Sequence, residues 1–206
     1  MSYPRELLDS AHTLLHSDPE TQATLRQTVS TAYYALFHFL IEEACLNWAR
    51  PEHRHRLTRA FEHKNMAAAS NRRIESHKNA EPPSVESQLY SVAFAFKQLQ
   101  DQRHIADYDL SSTLSGQYVV AAVELAEEAF ATWGLIRNEQ IAHDYLFALL
   151  FREDRTYPGP ISIIDSPGFT GTLGNKRHGA FRVHFAELHR KALAGVISVP
   201  LILVMA

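Results

Sequence analysis

The chain has 206 residues, of which 46% are hydrophobic and 21% are charged. This composition is ordinary for a globular protein with a buried core, and the length favours one domain with an extension over two full domains. The single cysteine, Cys45, cannot form an internal disulfide. This excludes a disulfide-stabilised secreted scaffold and favours a reducing compartment.

Two features of the sequence bear on cellular location. The first residues contain no basic run followed by an apolar stretch, which argues against a secretory signal peptide. The longest apolar run, residues 193–206, is interrupted by Pro200 and is shorter than the roughly 20 residues that a membrane-spanning helix needs. We therefore expect a cytoplasmic protein without a membrane partner.

The formal net charge is −3 at pH 7, but the charge is unevenly distributed. Residues 50–78 contain eight lysine and arginine side chains against three glutamates. A basic segment on an acidic chain indicates an anionic partner such as RNA or a nucleotide, although a solvated helix face would have the same composition. The candidate nucleic-acid-binding residues in this segment are Arg54, Arg56, Arg59, Lys64, Arg72 and Arg73.

Helical periodicity extends from the N-terminus to about residue 152. A first helix is predicted from Tyr3 to His16, and residues 17–20 then provide a capping serine and a proline for the start of a second helix. The second helix is long, because apolar residues recur at three- and four-residue spacing from Leu25 to Ala44. This pattern predicts the central helix of a bundle.

The next elements are separated by polar segments. A more polar helix is predicted around Leu57 to Met66, and residues 79–84 form a proline-containing loop whose last residue, Ser84, caps a fourth helix. The periodicity breaks over residues 104–112, and a fifth helix is predicted to begin near Thr113.

The character of the sequence changes at its C-terminal end. A further helical stretch is predicted from Leu135 to Phe151, after which proline and glycine become frequent and the helical period disappears. We expect residues 1–152 to form the folded domain. Residues 153–206 are predicted to be an irregular C-terminal extension that is poorly ordered or weakly docked.

Three blocks of sequence resemble the HEPN family, in particular its small stand-alone prokaryotic branch. Residues 32–38, Ala-Tyr-Tyr-Ala-Leu-Phe-His, are similar to the A-Y-Y-A-x-F-H block of that branch, and residues 103–108, Arg-His-Ile-Ala-Asp-Tyr, to its R-x-x-A-D-Y block. The alanine-rich residues 121–130 are similar to the helix that closes the domain. The resemblance implies an all-α, antiparallel bundle of four to five helices that forms a homodimer.

The resemblance also implies a function in RNA or nucleotide binding. Many HEPN proteins are metal-independent ribonucleases of toxin–antitoxin and related systems, which implies a toxin-like endoribonuclease. Other members are non-catalytic helical interaction modules that partner a nucleotidyltransferase or an antitoxin-like protein, and this alternative stays open. Neither interpretation of the resemblance implies a cofactor.

The ribonuclease members carry an arginine and a histidine separated by four to six residues. The arginine can stabilise charge on a phosphate, and the imidazole can transfer a proton near neutral pH. Arg103 matches the arginine, but the positions expected for the histidine hold Tyr108, Asp109 and Leu110. Arg103 and Tyr108 are therefore candidate catalytic residues of an incomplete motif. A structural ion pair and cap involving Asp107 would explain the same residues.

A second arginine–histidine pair is Arg137 and His143, which have the required spacing and are followed by Tyr145. They are the alternative catalytic residues. Such spacing is common in a chain with 12 histidines, and a polar face of a terminal helix would produce the same pattern.

The remaining candidates favour packing over chemistry. The aromatic residues of the 32–38 block are expected to lie in the core, and His38 is expected to be a buried, hydrogen-bonded histidine there. The sequence has no Cys-x-x-Cys pair, and its scattered histidines are not grouped in a known metal-binding motif. We therefore expect no metal site.

Overall fold

A computed structural model of the chain describes residues 2–16 and 21–150, and all regular structure within these ranges is helical. The all-α class predicted from the sequence is therefore confirmed for the described residues. Two single-turn 3-10 helices, Pro51–His53 and Thr58–Ala60, flank the shortest α-helix. The α-helices of the described residues are α1 (Tyr3–Leu15), α2 (Gln22–Leu46), α3 (Arg54–Leu57), α4 (His63–His77), α5 (Val85–Tyr108), α6 (Gly116–Ile136) and α7 (Gln140–Leu150).

The C-terminal extension predicted for residues 153–206 lies outside the described residues.

Within the described residues, no helix combines the length and the apolar character needed to cross a membrane.

Helix α2 lies at the centre of the bundle, where it packs against α1, α5 and α6. Val29 and Leu36 are fully buried, as the predicted apolar periodicity requires. The helix begins after Thr21, whose hydroxyl accepts a hydrogen bond from the backbone amide of Thr24 in a capping box. The cap predicted within residues 17–20 falls outside the described residues.

The N-terminal half of α2 carries a polar seam, which consists of Gln22, Arg26, Ser30 and Tyr34 at four-residue spacing. Residues at this spacing lie on one face of a helix. The side-chain amide of Gln22 donates to the carbonyl of Leu114 at 2.8 Å and accepts from its N–H at 2.9 Å. The polar seam thus fixes the loop that follows α5 against the start of α2.

Arg26 caps the C-terminal end of α5. The last four carbonyls of a helix have no partner within the helix, and here one part-buried guanidinium serves several carbonyls of this end and of the loop. Its nitrogens donate to the carbonyl oxygens of Ile105 at 3.2 Å, Ala106 at 2.8 Å, Asp109 at 3.0 Å, and Ser112.

The structure corrects the predicted end of α5. The sequence predicted that the helical pattern breaks at His104, but the helix continues to Tyr108, because Arg26 hydrogen-bonds the carbonyls of its last turn. The predicted start of α5 is confirmed, since Ser84 caps the helix in a capping box with Ser87.

The segment between α2 and α4 is not the single polar helix predicted around Leu57 to Met66. The chain becomes extended at Phe61, which allows the Phe61 side chain to be buried, and α4 then begins at His63. The start of α6 also differs from the prediction near Thr113, because Ser115 is the residue that caps it.

Replacing Arg26 with alanine is expected to lower the free energy of unfolding by about 2 kcal/mol, because part-buried carbonyls lose charged hydrogen-bond donors. Urea unfolding followed by far-UV circular dichroism measures the change. The matched control is Arg56→Ala, which removes an exposed arginine and should change the free energy by less than about 0.5 kcal/mol. Equal effects of the two substitutions would contradict the role assigned to Arg26.

Candidate functional site

Arg103 lies near the end of α5 and is held by two contacts. Its Nη2 donates to the Tyr34 hydroxyl at 2.9 Å, and its Nε forms an ion pair with the carboxylate of Asp107. The Arg103 side chain is 21% exposed. A guanidinium has five N–H donors, so these two contacts do not use all of them.

Asp107 has both carboxylate oxygens engaged within the fold. One oxygen pairs with Arg103, and the other accepts a hydrogen bond from the Ser30 hydroxyl. The ion pair considered from the sequence is therefore present, one helical turn apart on α5. The cap at this helix end is provided by Arg26 instead.

Tyr108 and Tyr34 flank the Arg103 guanidinium. The guanidinium carbon lies 5.3 Å from the ring centre of Tyr108 and 5.5 Å from that of Tyr34. Tyr108 is 63% exposed, and its ring centre lies 5.1 Å from that of His104. The structure thus brings the sequence candidates Arg103 and Tyr108 together at the surface.

His63, the first residue of α4, adds an imidazole to this cluster. Its ring stacks on Phe37 at a centre-to-centre distance of 4.1 Å and lies 6.1 Å from the ring of Tyr34. Burial, and then the positive charge of Arg103, lower the pKa of His63. At neutral pH the ring is therefore uncharged and able to accept a proton.

The buried Tyr33 orients the His63 ring. The Tyr33 hydroxyl lies 2.6 Å from His63 Nδ1, and burial raises the pKa of this hydroxyl. The hydroxyl therefore stays protonated and can donate or accept. Within residues 2–16 and 21–150, no hydrogen bond is formed by the other ring nitrogen of His63, Nε2.

Sequence reasoning missed His63 as a partner of Arg103. The R-x4-6-H pattern looks for a histidine that follows the arginine within two helical turns, whereas His63 precedes Arg103 and lies on a different helix. The one signal in the sequence was that His63 belongs to the basic segment, residues 50–78, which also contains other histidines. To choose His63 among them, one must know how α4 packs on α5.

The aromatic side chains of residues 32–38 on α2 lie partly in the core and partly at the surface. Tyr33 and Phe37 are buried, as predicted. His38 is only half-buried, although the sequence predicted a buried histidine, and its ring meets those of Tyr3 at 5.1 Å and Phe37 at 5.2 Å. Burial, and then the proximity of His63, lower the pKa of His38.

In the second arginine–histidine pair, one nitrogen of each side chain forms a contact within the bundle, and the Arg137 side chain is 47% exposed. Glu43 is 5% exposed, and its carboxylate accepts hydrogen bonds from Trp133 Nε1 at 2.8 Å and Arg137 Nη2 at 2.9 Å. Nε2 of His143 lies 3.0 Å from the backbone carbonyl oxygen of Arg137. Tyr145 is fully buried. Arg137 thus neutralises a buried carboxylate, and His143 binds the end of α6.

The basic segment contains structural and exposed residues. Arg54 Nη2 donates to the carbonyls of Leu46 at 3.0 Å and Trp48 at 3.2 Å, and so fixes the chain that follows α2. Four candidates are exposed, namely Arg56, Arg59, Lys64 and Arg72.

The last two basic candidates lie farther along α4. Arg72 and Arg73 are about two turns from the start of the helix. Nη1 of Arg73 lies 3.2 Å from Nε2 of His77, and its charge acts on Tyr145 of α7. Arg73 therefore belongs to the side of α4 that faces α7, not to the Arg103 cluster.

The described residues contain no group of three or more histidine, cysteine, aspartate and glutamate side chains that could hold a metal ion. The groups at the Arg103 cluster are a guanidinium, the carboxylate of Asp107, a neutral imidazole and phenol groups.

The lowered pKa values of His38, His63 and His77 predict a loss of stability in mild acid. Each pKa lies below the ordinary value of 6.5, so the unfolded chain binds more protons than the folded one as the pH falls through that value. The contribution of these histidines to the free energy of unfolding should therefore decrease from neutral pH downwards and level off below their folded pKa values. Urea unfolding at several pH values measures this, and His63→Gln should reduce the slope. An unchanged slope in that variant would contradict the assignment.

Comparisons of the chain with protein-family models, with curated proteins and with solved structures find no match.

Proposed function

We propose that this chain binds single-stranded RNA through a surface centred on Arg103, in a helical bundle of the HEPN type. The observation that carries the proposal is the placement of the Arg103 guanidinium, which Tyr34 and Asp107 hold at the surface beside the exposed ring of Tyr108. Guanidinium groups bind phosphate oxygens in a fixed geometry, and exposed aromatic rings stack on unpaired bases.

The charges near Arg103 support an anionic ligand. Lys64 is exposed at the start of α4, directly after His63, whose ring lies against the same Tyr34 ring as Arg103. Arg56 and Arg59 are exposed in the preceding segment. Exposed cationic groups favour a phosphate backbone, and the affinity then depends strongly on salt.

The partners implied by the HEPN resemblance remain predictions. They are a second copy of the chain and, for a non-catalytic interaction module, a nucleotidyltransferase or an antitoxin-like protein. The interaction module is the alternative to RNA binding, and it requires no affinity of the Arg103 surface for nucleic acid.

Arg103→Ala is expected to weaken binding of a short single-stranded RNA about tenfold, because a charged hydrogen bond to phosphate is lost. It should also reduce the slope of log affinity against log salt concentration by about 1. Fluorescence anisotropy of a labelled RNA at low salt measures both quantities. Lys97→Ala, which removes a cation from the same helix, is the control and should bind nearly as tightly as the wild type.

Two results would count against this proposal. Equal losses in the Arg103 and Lys97 variants would indicate nonspecific charge attraction. An absence of RNA binding by the wild type at low salt would favour the interaction module.

The position of His63 favours a second function, which is metal-independent cleavage of the bound RNA. When Nδ1–H donates to the Tyr33 oxygen, Nε2 can take the proton of a ribose 2′-hydroxyl. The 2′-oxygen then bonds to phosphorus and the bond to the 5′-oxygen breaks, which leaves a 2′,3′-cyclic phosphate and a 5′-hydroxyl that takes its proton from solvent. Arg103 would stabilise the charge that develops on the phosphate oxygens.

His63→Ala is expected to lower the cleavage rate by about 100-fold or more, as for the loss of a general base, while RNA affinity changes little. Cleavage is measured with EDTA present, so that metal-dependent contaminants are silent. His143→Ala is the control and should retain the rate. Loss of cleavage with His143→Ala but not with His63→Ala would assign the reaction to the other arginine–histidine pair.

A further inference from the structure

A groove of ≈ 530 Å³ lies between the start of α1, the C-terminal half of α2 and residues 54–61. This volume falls in the range of small-molecule sites, which is roughly 300–1,000 Å³. Its floor is apolar and consists of Phe37, Ile41 and Phe61. Arg103 and Tyr108 are not among the residues that line the groove.

The mouth of the groove carries an exposed aromatic side chain. Tyr3 is 58% exposed, and its ring meets that of His38 edge-on, at 5.1 Å and an interplanar angle of 68°. The exposure of Tyr3 leaves part of its ring surface available to a ligand. A planar ligand can stack on such a face over the apolar floor.

The charges in the groove suit a neutral ligand with hydrogen-bonding edges. Glu42 and Arg54 both line it, and they have opposite charges. A carboxylate and a guanidinium together offer an acceptor and a donor to one planar ring. A nucleobase has these properties, whereas a free anion or an aliphatic chain does not.

Two aromatic residues join the groove to the Arg103 cluster. Phe37 lies on the floor of the groove and stacks on His63. Tyr34 bonds Arg103, and its ring stacks on that of His38, with ring centres 6.3 Å apart. The apolar groove and the cationic cluster are therefore the two ends of one continuous aromatic layer.

We infer that the groove beside Tyr3 and His38 binds one base of a single-stranded ribonucleotide whose phosphate contacts Arg103. This inference rests on the proposed RNA-binding function and adds a base-binding subsite to it. Stacking on Tyr3 provides affinity without requiring one particular base, and Glu42 and Arg54 provide the contacts through which one base is preferred over another.

The test compares a labelled RNA trinucleotide with an abasic trinucleotide that carries the same phosphates. The wild type should bind the base-containing ligand about tenfold more tightly, as expected for one stacked base. Tyr3→Ala should reduce this preference to the part that stacking on Tyr108 provides, and Thr58→Phe, which places a ring at the edge of the groove, should also reduce it. Phe94→Ala removes an exposed aromatic ring from α5 and should keep the preference.

The outcomes separate this inference from the proposed function. If Arg103→Ala weakens both ligands but the wild type does not discriminate between them, the groove is not a base subsite and the RNA-binding surface stands. The same conclusion follows if both Tyr3→Ala and Thr58→Phe keep the full preference. If Arg103→Ala leaves the affinity for both ligands unchanged, the proposed function is wrong and the base subsite falls with it.

Discussion

The hydrogen bonds from α2 to the end of α5 are the interaction on which the candidate site depends. A helix end leaves carbonyls without partners, and the apolar surroundings of a bundle make such groups costly. Arg26 supplies the donors from a neighbouring helix. The last turns of α5 therefore persist, and Arg103 and Asp107 lie one turn apart on a regular helix instead of in a loop.

The four-residue repeat on α2 contacts the backbone of the α5–α6 region at one end and the Arg103 side chain at the other. Gln22 and Arg26 bind backbone groups of α5 and its loop, whereas Tyr34 binds a side chain that is partly exposed. A phosphate that binds Arg103 would compete with Asp107 for the guanidinium. Because Ser30 also bonds Asp107, the carboxylate keeps one partner when Arg103 turns to a ligand. The geometry of α5 therefore does not depend on Arg103 alone.

The sequence was informative where periodicity and local signals decide the structure. The apolar repeat predicted α2, and the Ser84 cap predicted the start of α5. The end of α5 was mispredicted, because the donors for its carbonyls come from Arg26, which is distant in the chain. The candidate site was predicted only in part, again because some of its contacts come from residues that are distant in the chain. Arg103 and Tyr108 belong to one motif, but His63 reaches them only through the packing of α4. Likewise, nothing local shows that the Arg137 side chain is engaged by a buried glutamate on another helix.

Side chains of α2 hydrogen-bond the backbone of the α5–α6 loop. Some side chains of this loop are therefore not needed to hold it in place. Leu110 is 83% exposed and stands two residues after Tyr108. Cys45 is buried, and burial raises the pKa of its thiol, so it reacts slowly with thiol reagents. A cysteine introduced at position 110 would thus be the accessible thiol of a chain that has one native cysteine. The loop is a natural attachment point for a spectroscopic label beside the candidate site.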